Sequence, residues 1–314
     1  MDLDTLMLSI FIELGRMPLT DYMNVSANNV KSIGRAFYLQ GQQGNIGVWH
    51  VLPKTLSSDY REKGVHPAEE EMEKSLSIMK FPVVLYLHGN SFDRAISHRV
   101  ELYNVLSKMD YHVVAFDYRA LPGYGDSDGC PSEPGLVNDA YLVYNYVKSH
   151  CGNNAVIIWG HSMGSGVGVK LTMDLSIEGR PSHGLVLESP FNNLHDVLLN
   201  HSLSLSIRWL PENIIQSLII LPLRKVGLVM ESDKRIANVC CPILIMHAAD
   251  DHVIPVKLAR RLREAGRCSS RDVRYVEFDE ARNYRHKFIY MAPELTKIIP
   301  DFVAHCKEVR GVAT

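Results

Sequence analysis

The sequence is poor in cysteine and has no pair spaced as CxxC. Six cysteines are spread over 314 residues, which is too sparse for a disulfide scaffold. Without a CxxC pair, a structural zinc site and a thioredoxin-type redox site are both excluded. Cys240 and Cys241 lead into an apolar segment, so we expect both thiols to be buried.

An excess of charge of either sign is also missing. Lys and Arg number 33 against 35 Asp and Glu, which gives a formal net charge of -2. Proteins that bind nucleic acid usually carry a basic stripe, so no nucleic-acid partner is expected. Hydrophobic residues make up 46% of the chain, which is enough for the large core of a globular protein.

Long apolar runs are missing as well. The apolar stretch at residues 6–12 is short and is broken by Ser9, whereas a membrane-spanning helix needs about 20 apolar residues. A signal peptide would need a basic segment before the apolar one, and Asp2 and Asp4 stand there instead. We therefore expect this stretch to be an amphipathic helix that packs on the domain, with association with a membrane surface as the alternative.

What the sequence does have is a series of short apolar runs that begins near residue 82. Such runs are typical of strands covered on both faces. Helical stretches separate them, so the pattern predicts an α/β fold with a mostly parallel central sheet and helices on both faces. Functional groups of such a sheet lie at the carboxyl ends of its strands. The predicted strands are VVLYLHG (83–89), HVVAFDYR (112–119), AVIIWG (155–160), GLVLES (184–189), PILIMH (242–247) and VRYVEFD (273–279).

The segment before this series has a different pattern. FYLQGQQGNIGVWHVL (37–52) predicts two strands joined by a Gly/Gln turn. Residues 53–80 are polar, rich in Glu and Lys, and without a β pattern. They predict an exposed insertion before the first buried strand.

One later stretch interrupts the alternation. Residues 191–236 carry many apolar groups without a strand pattern and lie between two core strands, which predicts a helical cap inserted over the active edge of the sheet. The expected organisation is an N-terminal segment (1–33), an α/β domain (34–307) that contains this cap, and a C-terminal tail (308–314).

Residues 160–164, GHSMG, match the G-x-S-x-G nucleophile elbow. The match is specific because it follows the apolar run AVIIW directly and precedes a helical stretch rich in small residues. An elbow forces its serine into a strained turn, so the residues two positions away must be small, and Gly160 and Gly164 meet that need. The motif predicts an α/β-hydrolase fold with Ser162 as the nucleophile.

A serine hydroxyl needs a base to take its proton, and the base needs a carboxylate to orient it. In this fold the three follow the chain order serine, acid, histidine. Among 14 histidines, His286 stands after the last apparent strand and before the final helical stretch, where the fold delivers its base. The acid is expected just after PILIMH, where Asp251 has the usual spacing, and Asp250 and Glu188 are the alternatives.

The oxyanion formed in such a reaction needs two backbone amides. One is expected from Met163, directly after the nucleophile, and the other from the loop after the first buried strand, where Asn90 is preferred over Ser91. The loop LPGYGDSDG (121–129) lacks the ending of a phosphate-binding loop and the EF-hand frame, so we expect a plain loop at the rim of the site.

Several motifs together span most of the chain: LYLHGN (85–90), HRVELY (98–103), YHVVAFDYR (111–119), IWGHSMGSGV (158–167), LVLESPFNN (185–193), CPILIMHAADDHVIP (241–255) and YRHKFIYMAPEL (284–295). This set resembles the α/β-hydrolase domain-containing protein 12 family, the monoacylglycerol and lysophosphatidylserine lipases. The resemblance implies Ser162, Asp251 and His286 as the catalytic triad, a lipid ester as the substrate, and neither a metal nor an organic cofactor. The loop after Arg119 is longer than the family's Gly-Trp-Gly-Asp-Ser-type stretch, so the rim is expected to differ.

The resemblance also bears on location in the cell. Members of that family typically carry an N-terminal transmembrane helix and face the lumen of the endoplasmic reticulum. This sequence shows no apolar run of that length, so a cytoplasmic location is the alternative to association with the endoplasmic reticulum membrane. Sequons at Asn24 and Asn200 permit lumenal glycosylation.

The sequence therefore predicts a serine hydrolase that cleaves lipid carboxylic esters through an acyl-enzyme. Monoacylglycerols and lysophospholipids such as lysophosphatidylserine are the expected substrates. An acyl thioesterase would use the same elbow and triad and is the first alternative. A catalytically silent binding module on the same fold is the second. The motifs carry no indication of oligomeric state.

Overall fold

The computed structural model describes residues 20–119, 125–130, 132–200, 214, 216–225 and 227–311. An eight-stranded sheet lies at its centre. The strands are β1 (Gly34–Gln40), β2 (Asn45–Val51), β3 (Val83–Leu87), β4 (His112–Phe116), β5 (Val156–His161), β6 (Gly184–Glu188), β7 (Ile243–Ala248) and β8 (Val273–Phe278). Their order across the sheet is β1-β2-β4-β3-β5-β6-β7-β8.

The sheet is mostly parallel, as the sequence predicts. Strands β3 to β8 all pair in parallel, while β1 and β2 form an antiparallel hairpin that joins the sheet beside β4. Parallel neighbours need a crossover between them, and helices supply those crossovers. The predicted strand positions and the predicted fold class are confirmed.

Both faces of the sheet are buried, which explains the uninterrupted apolar runs. In β3, Val83, Leu85 and Leu87 point into one hydrophobic core, and Val84 and Tyr86 point into a second core on the opposite face. Alternate residues of a strand face opposite sides, so a strand between two helical layers must be apolar at every position.

Helices cover these two faces. They occupy the stretches between the strands, as the sequence predicts. The α-helices are Lys54–Glu62, Glu69–Ser75, Ser97–Lys108, Glu133–Cys151, Met163–Ile177, Leu194–Asn200, Leu221–Lys225, Ser232–Arg235, Val256–Cys268 and Leu295–Val309. Short 3-10 turns lie at Val25–Asn28, Ile236–Asn238, Glu280–Arg282 and Ile289–Met291, and a π-helical turn lies at Gln216–Ile220.

The polar segment before β3 is more ordered than its composition predicts. It contains the helices Lys54–Glu62 and Glu69–Ser75. Met72 and Leu76 are buried, and Leu76 belongs to the main core. Most residues of the segment are exposed, as predicted. The two helices were not predicted, and a few well-spaced apolar residues are enough to fix such short helices on the domain.

The first described residues belong to the same packed body. Tyr22, Val25 and Val30 lie in one core together with Trp49, whose indole Nε1 donates to the Tyr22 carbonyl over 2.7 Å. The packing therefore crosses the predicted domain limit at residue 34. The apolar stretch at residues 6–12 lies outside the described residues.

The two adjacent cysteines differ in exposure. Cys241 is buried and Cys240 is exposed, so the prediction that both thiols are buried is wrong for Cys240. Cys240 lies in the connection between the 3-10 turn Ile236–Asn238 and β7, outside the buried strand.

The described part of the predicted cap is helical. It carries a helix at Leu194–Asn200 directly after β6 and shorter turns at residues 216–225 and 232–235; residues 201–213 lie outside the described part. Met230 of this segment packs over Gly166 in the helix that follows the elbow.

A buried carboxylate fastens the cap to the domain. Glu133, at the first turn of its helix, accepts hydrogen bonds from the amides of Val229 and Met230, over 2.6 and 2.8 Å. It also pairs with Arg235. Because these donors satisfy the carboxylate, it can be buried at this junction without a large desolvation cost.

Candidate active site

Ser162 stands in a strained turn between β5 and the helix Met163–Ile177, with φ 53° and ψ -118°. A residue with a side chain pays about 1–3 kcal/mol for such a backbone, so the surroundings must enforce it. A Cβ on Gly164 would overlap the carbonyl oxygen of Leu87, and a Cβ on Gly160 would overlap that of Gly164. The turn thus requires both glycines, for the steric reason expected from the motif.

The structure brings the three predicted side chains together at the carboxyl edge of the sheet. The Ser162 Oγ lies 2.9 Å from the His286 Nε2, and the His286 Nδ1 lies 2.7 Å from the Asp251 Oδ2. They follow β5, β8 and β7 respectively. The carboxylate partner assigns the ring proton to Nδ1, which leaves the Nε2 lone pair to accept the serine hydroxyl.

The Asp251 carboxylate is buried and held by several donors. Its Oδ1 accepts the amides of Val253 and Ile254 over 2.8 and 2.9 Å, and its Oδ2 lies 3.3 Å from the His247 Nε2. Burial alone would raise the pKa of this carboxyl, but the charge of His286 and the bonds from His247 and His286 outweigh it and hold the pKa well below its ordinary range. Asp251 is therefore an anion wherever the protein is folded near neutral pH.

His247 is a contributor that the sequence did not reveal. It is fully buried at the end of β7, and its Nε2 is 2.9 Å from the Ile254 carbonyl, which makes that nitrogen the protonated one. It thus presents its N–H to both the loop and Asp251. The feature that could have indicated this role is the position of His247, four residues before Asp251 and near the end of β7.

The two alternative acids have other partners. Asp250 accepts the Arg285 amide over 3.0 Å and so fixes the backbone just before His286. Glu188 accepts the Trp159 indole Nε1 over 2.8 Å. Among the described residues, the carboxylate on the His286 ring belongs to Asp251.

Glu188 is nevertheless unusual, because it is a fully buried carboxyl directly beneath the elbow. Burial raises its pKa from 4.5 to about 7, against the opposing effect of the Trp159 hydrogen bond. In the unfolded chain the same group loses its proton near the ordinary value. Between these two values the folded state holds more protons than the unfolded state, so stability falls as pH rises.

The expected fall in stability with rising pH can be tested. Relative to Glu188→Gln, which cannot titrate, the wild type is expected to lose about 3 kcal/mol of unfolding free energy between pH 4.5 and pH 8. Denaturant unfolding of both proteins across that range measures the difference. Parallel curves for the two proteins would show that Glu188 is not protonated in the folded state.

The loop that carries His286 is tied to the elbow. The His286 carbonyl accepts the His161 Nε2 over 2.9 Å and the Ser189 hydroxyl over 3.3 Å. Burial, reinforced by the charge of His286, holds the pKa of His161 well below its ordinary range, so the ring stays neutral and donates from Nε2. This role of His161 could not be predicted from the motif, which treats the position before the serine as variable.

The two segments that are expected to supply oxyanion donors both adjoin Ser162. Met163 is the first residue of its helix, and the first amides of a helix have no acceptor within it. Asn90 and Ser91 lie in the loop after β3, next to Gly89, where a Cβ would be 3.1 Å from the Ser162 Cβ. Both sources of amides predicted from the sequence are thus neighbours of the serine.

The acids of the rim loop serve to attach it. Asp126 pairs with Arg94 over 2.6 Å and accepts the Tyr38 hydroxyl over 2.7 Å. Asp128 accepts the Asn45 amide over 3.0 Å. Residues 120–124 of this loop lie outside the described part.

A cavity of about 620 Å³ lies in the described part of the cap. Its lining combines leucines, among them Leu194 and Leu228, with charged side chains of both signs. There, Glu231 pairs with Lys234 over 2.7 Å and with Arg224 over 3.5 Å. An amphipathic cavity suits a ligand with an apolar tail and a charged head.

Across the described residues, every helix is too short or too polar to cross a bilayer.

Known proteins resemble the chain in sequence and in fold. The model of the serine aminopeptidase S33 family matches residues 81–229. The lysophosphatidylserine lipase ABHD12 of Xenopus tropicalis is 41% identical over 277 residues, which cover 87% of this chain and 69% of that protein. The lysophosphatidylserine lipase ABHD12 of Danio rerio is 39% identical over 298 residues, which cover 93% of this chain and 73% of that protein.

A solved structure shows the fold independently of close sequence similarity. An α/β hydrolase from Vibrio vulnificus superposes with a TM-score of 0.63 at 18% identity, over 93% of this chain and 96% of that chain.

Proposed function

The chain belongs to the ABHD12 family of α/β hydrolases, and on that premise we propose that it cleaves the carboxylic ester of lysophosphatidylserine through an acyl-enzyme on Ser162. The observation that carries this proposal is the continuous contact from the Ser162 hydroxyl through His286 to Asp251, at 2.9 and 2.7 Å. Membership of this family makes the protein a serine ester hydrolase; the roles of the individual residues are our inference.

In the first half of the reaction, Ser162 attacks the ester carbonyl while its proton passes to the His286 Nε2. The carbonyl oxygen becomes an oxyanion held by the amides of Met163 and Asn90. Asp251 stabilises the imidazolium that forms. The C–O bond to the glycerol then breaks, and its oxygen takes the proton from His286, which leaves the fatty acyl group on Ser162.

In the second half, water replaces the alcohol. His286 takes a proton from the water as its oxygen attacks the acyl carbonyl, and the same oxyanion donors hold the second tetrahedral intermediate. The bond to the Ser162 Oγ breaks, and His286 returns the proton to that oxygen. A free fatty acid leaves, and the enzyme is restored.

The lining of the cap cavity matches the chemistry of a lysophospholipid. Its leucines offer an apolar wall to an acyl chain, and each buried methylene contributes about 0.8 kcal/mol. The serine head group carries both an anionic phosphate and a zwitterionic amino acid, and the cavity offers Arg224 and Lys234 beside Glu231. Because this substrate is a membrane lipid, we infer that the protein meets it at a membrane surface.

A substrate panel tests the proposal. We expect kcat/KM for lysophosphatidylserine to exceed that for lysophosphatidylcholine of the same acyl chain by about tenfold, since one charge-assisted hydrogen bond is worth that much. Release of fatty acid is measured with monoacylglycerol, both lysophospholipids and an acyl thioester as substrates. An ether-linked lysophosphatidylserine, which cannot be cleaved, should compete with the ester at a similar affinity.

Two outcomes would overturn the substrate assignment. A preference for monoacylglycerol would show that the head group is not recognised. A preference for the thioester would identify an acyl thioesterase built on the same triad.

A further inference from the structure

Arg99 is a buried arginine that donates to several backbone carbonyls and also interacts with the Tyr86 side chain. It lies in the first turn of the helix Ser97–Lys108 and is about 1% exposed. Its Nη1 donates to the Asp93 carbonyl over 2.6 Å, and its Nη2 donates to those of Gly89 and Ser91 over 3.0 and 2.8 Å. The Asn90 carbonyl lies 3.4 Å from the same nitrogen. One guanidinium therefore contacts most of the loop between β3 and this helix.

The other buried arginines have carboxylate partners. Arg94 pairs with Asp117, Arg119 pairs with Asp139 over 2.6 Å, and Arg35 lies 3.3 Å from a Glu73 oxygen. Arg99 forms no ion pair with a described carboxylate. Burial of a charged group is costly unless its hydrogen bonds are made, so these carbonyl contacts are what keeps Arg99 in place.

The contacted loop has a backbone that needs external support. Ser91 and Phe92 are consecutive residues with φ 65° and 59°, values that residues with side chains seldom adopt. Gly89 is further held by His88, whose Nδ1 lies 2.7 Å from the Gly89 carbonyl. The unusual conformation and its support coincide at the loop that is expected to supply an oxyanion donor.

The direction of these carbonyls decides the direction of the amides. In a trans peptide, the carbonyl of one residue and the N–H of the next point in opposite directions. When the Gly89 carbonyl is drawn toward Arg99, the Asn90 N–H is turned away from it. A Cβ built on Gly89 would lie 3.1 Å from the Ser162 Cβ, so the peptide that joins Gly89 to Asn90 lies near the nucleophile.

We propose that Arg99 is the positioning residue of the oxyanion hole: by binding the carbonyls of the loop, it turns the Asn90 amide to the substrate oxygen. Its unpaired positive charge behind the loop also favours the negative charge that develops there. This inference rests on the proposed roles of Ser162 and Asn90. Arg99 itself does not contact the reacting atoms.

The test compares Arg99→Met and Arg99→Lys with Arg35→Met, a buried arginine on the edge strand β1. Arg99→Met is expected to lower kcat by about 100-fold, the usual loss when an oxyanion donor is misplaced, with KM changed by less than about threefold. Lysine keeps the charge but has a compact ammonium instead of a planar guanidinium with several donors. We therefore expect kcat of Arg99→Lys to be about tenfold higher than that of Arg99→Met. Arg35→Met should unfold at a lower temperature and keep the wild-type kcat.

A second readout separates positioning from general loss of structure. A trifluoromethyl ketone with an acyl tail forms a tetrahedral oxyanion on the active serine, whereas the ether-linked lysolipid binds without one. The affinity of the ketone should fall in parallel with kcat in both Arg99 variants, and the affinity of the ether lipid should not. If Arg99→Met does not fold, Arg99→Lys still decides by the same comparison.

The possible failures are distinguishable. Unchanged ketone affinity in a folded Arg99 variant, or an equal loss of kcat in Arg35→Met, would overturn the role of Arg99. Hydrolysis that survives in Ser162→Ala would instead overturn the proposed function, whatever the Arg99 variants do.

Discussion

Ser162→Ala is expected to lower kcat for ester hydrolysis by about 10⁶-fold, because removal of the nucleophile leaves only binding and the oxyanion donors. Alanine fits the elbow, since the turn is enforced by Gly160 and Gly164 rather than by the hydroxyl. The fold should therefore be retained. Fatty-acid release and labelling with a fluorophosphonate probe measure the loss.

Ser176 provides a matched control for this experiment. It lies in the same helix as the elbow, and its hydroxyl donates to the Thr172 carbonyl over 2.7 Å, far from His286. Ser176→Ala should be labelled and should hydrolyse the substrate as the wild type does. Labelling that persists in Ser162→Ala would place the nucleophile elsewhere.

Asp251→Asn is expected to lower kcat by about 10⁴-fold. An amide cannot serve as the anion that stabilises the His286 imidazolium, and its NH₂ group favours the wrong tautomer of the ring. The loss should appear in kcat more than in KM, since Asp251 is buried behind His286 and does not face the substrate. Steady-state kinetics on the preferred lysophospholipid measure both constants.

Asp250→Asn is the neighbouring control. The asparagine oxygen can still accept the Arg285 amide, so kcat should fall by less than about tenfold, within the worth of one hydrogen bond. Equal losses in the two variants would mean that the carboxyl pair acts together. The reverse order would make Asp250 the orienting acid.

The fold was predictable because its signal is physical and local. A strand between two helical layers is covered on both faces, and β3 to β7 are accordingly apolar except near their ends. The N-terminal packing of Tyr22 and Val25 was not predictable, since single apolar residues separated by polar ones carry no periodicity. The short helices before β3 were not predicted for the same reason.

The residues of the site differ in how firmly the sequence identifies them. Ser162 is marked by steric demands that only glycine meets at two positions, so the sequence identifies it. His286 and Asp251 were placed by chain order, and the distinction between Asp250 and Asp251 depends on a turn whose geometry the sequence does not show. The role of Arg99 was not predicted, because most of its partners are backbone carbonyls, which every residue type possesses.

The insertion between β6 and β7 leaves the sheet and returns to an adjacent strand about 5 Å away. Its two ends are thus fixed by the strands, and doubling the length of a flexible connection costs only about 0.6 kcal/mol of closure entropy. Residues can be added or removed there without changing the distance between Ser162 and His286. The fold therefore has two parts that can evolve separately. The sheet keeps the triad distances constant, while insertions and deletions in the segment between β6 and β7 can change the lipid substrate.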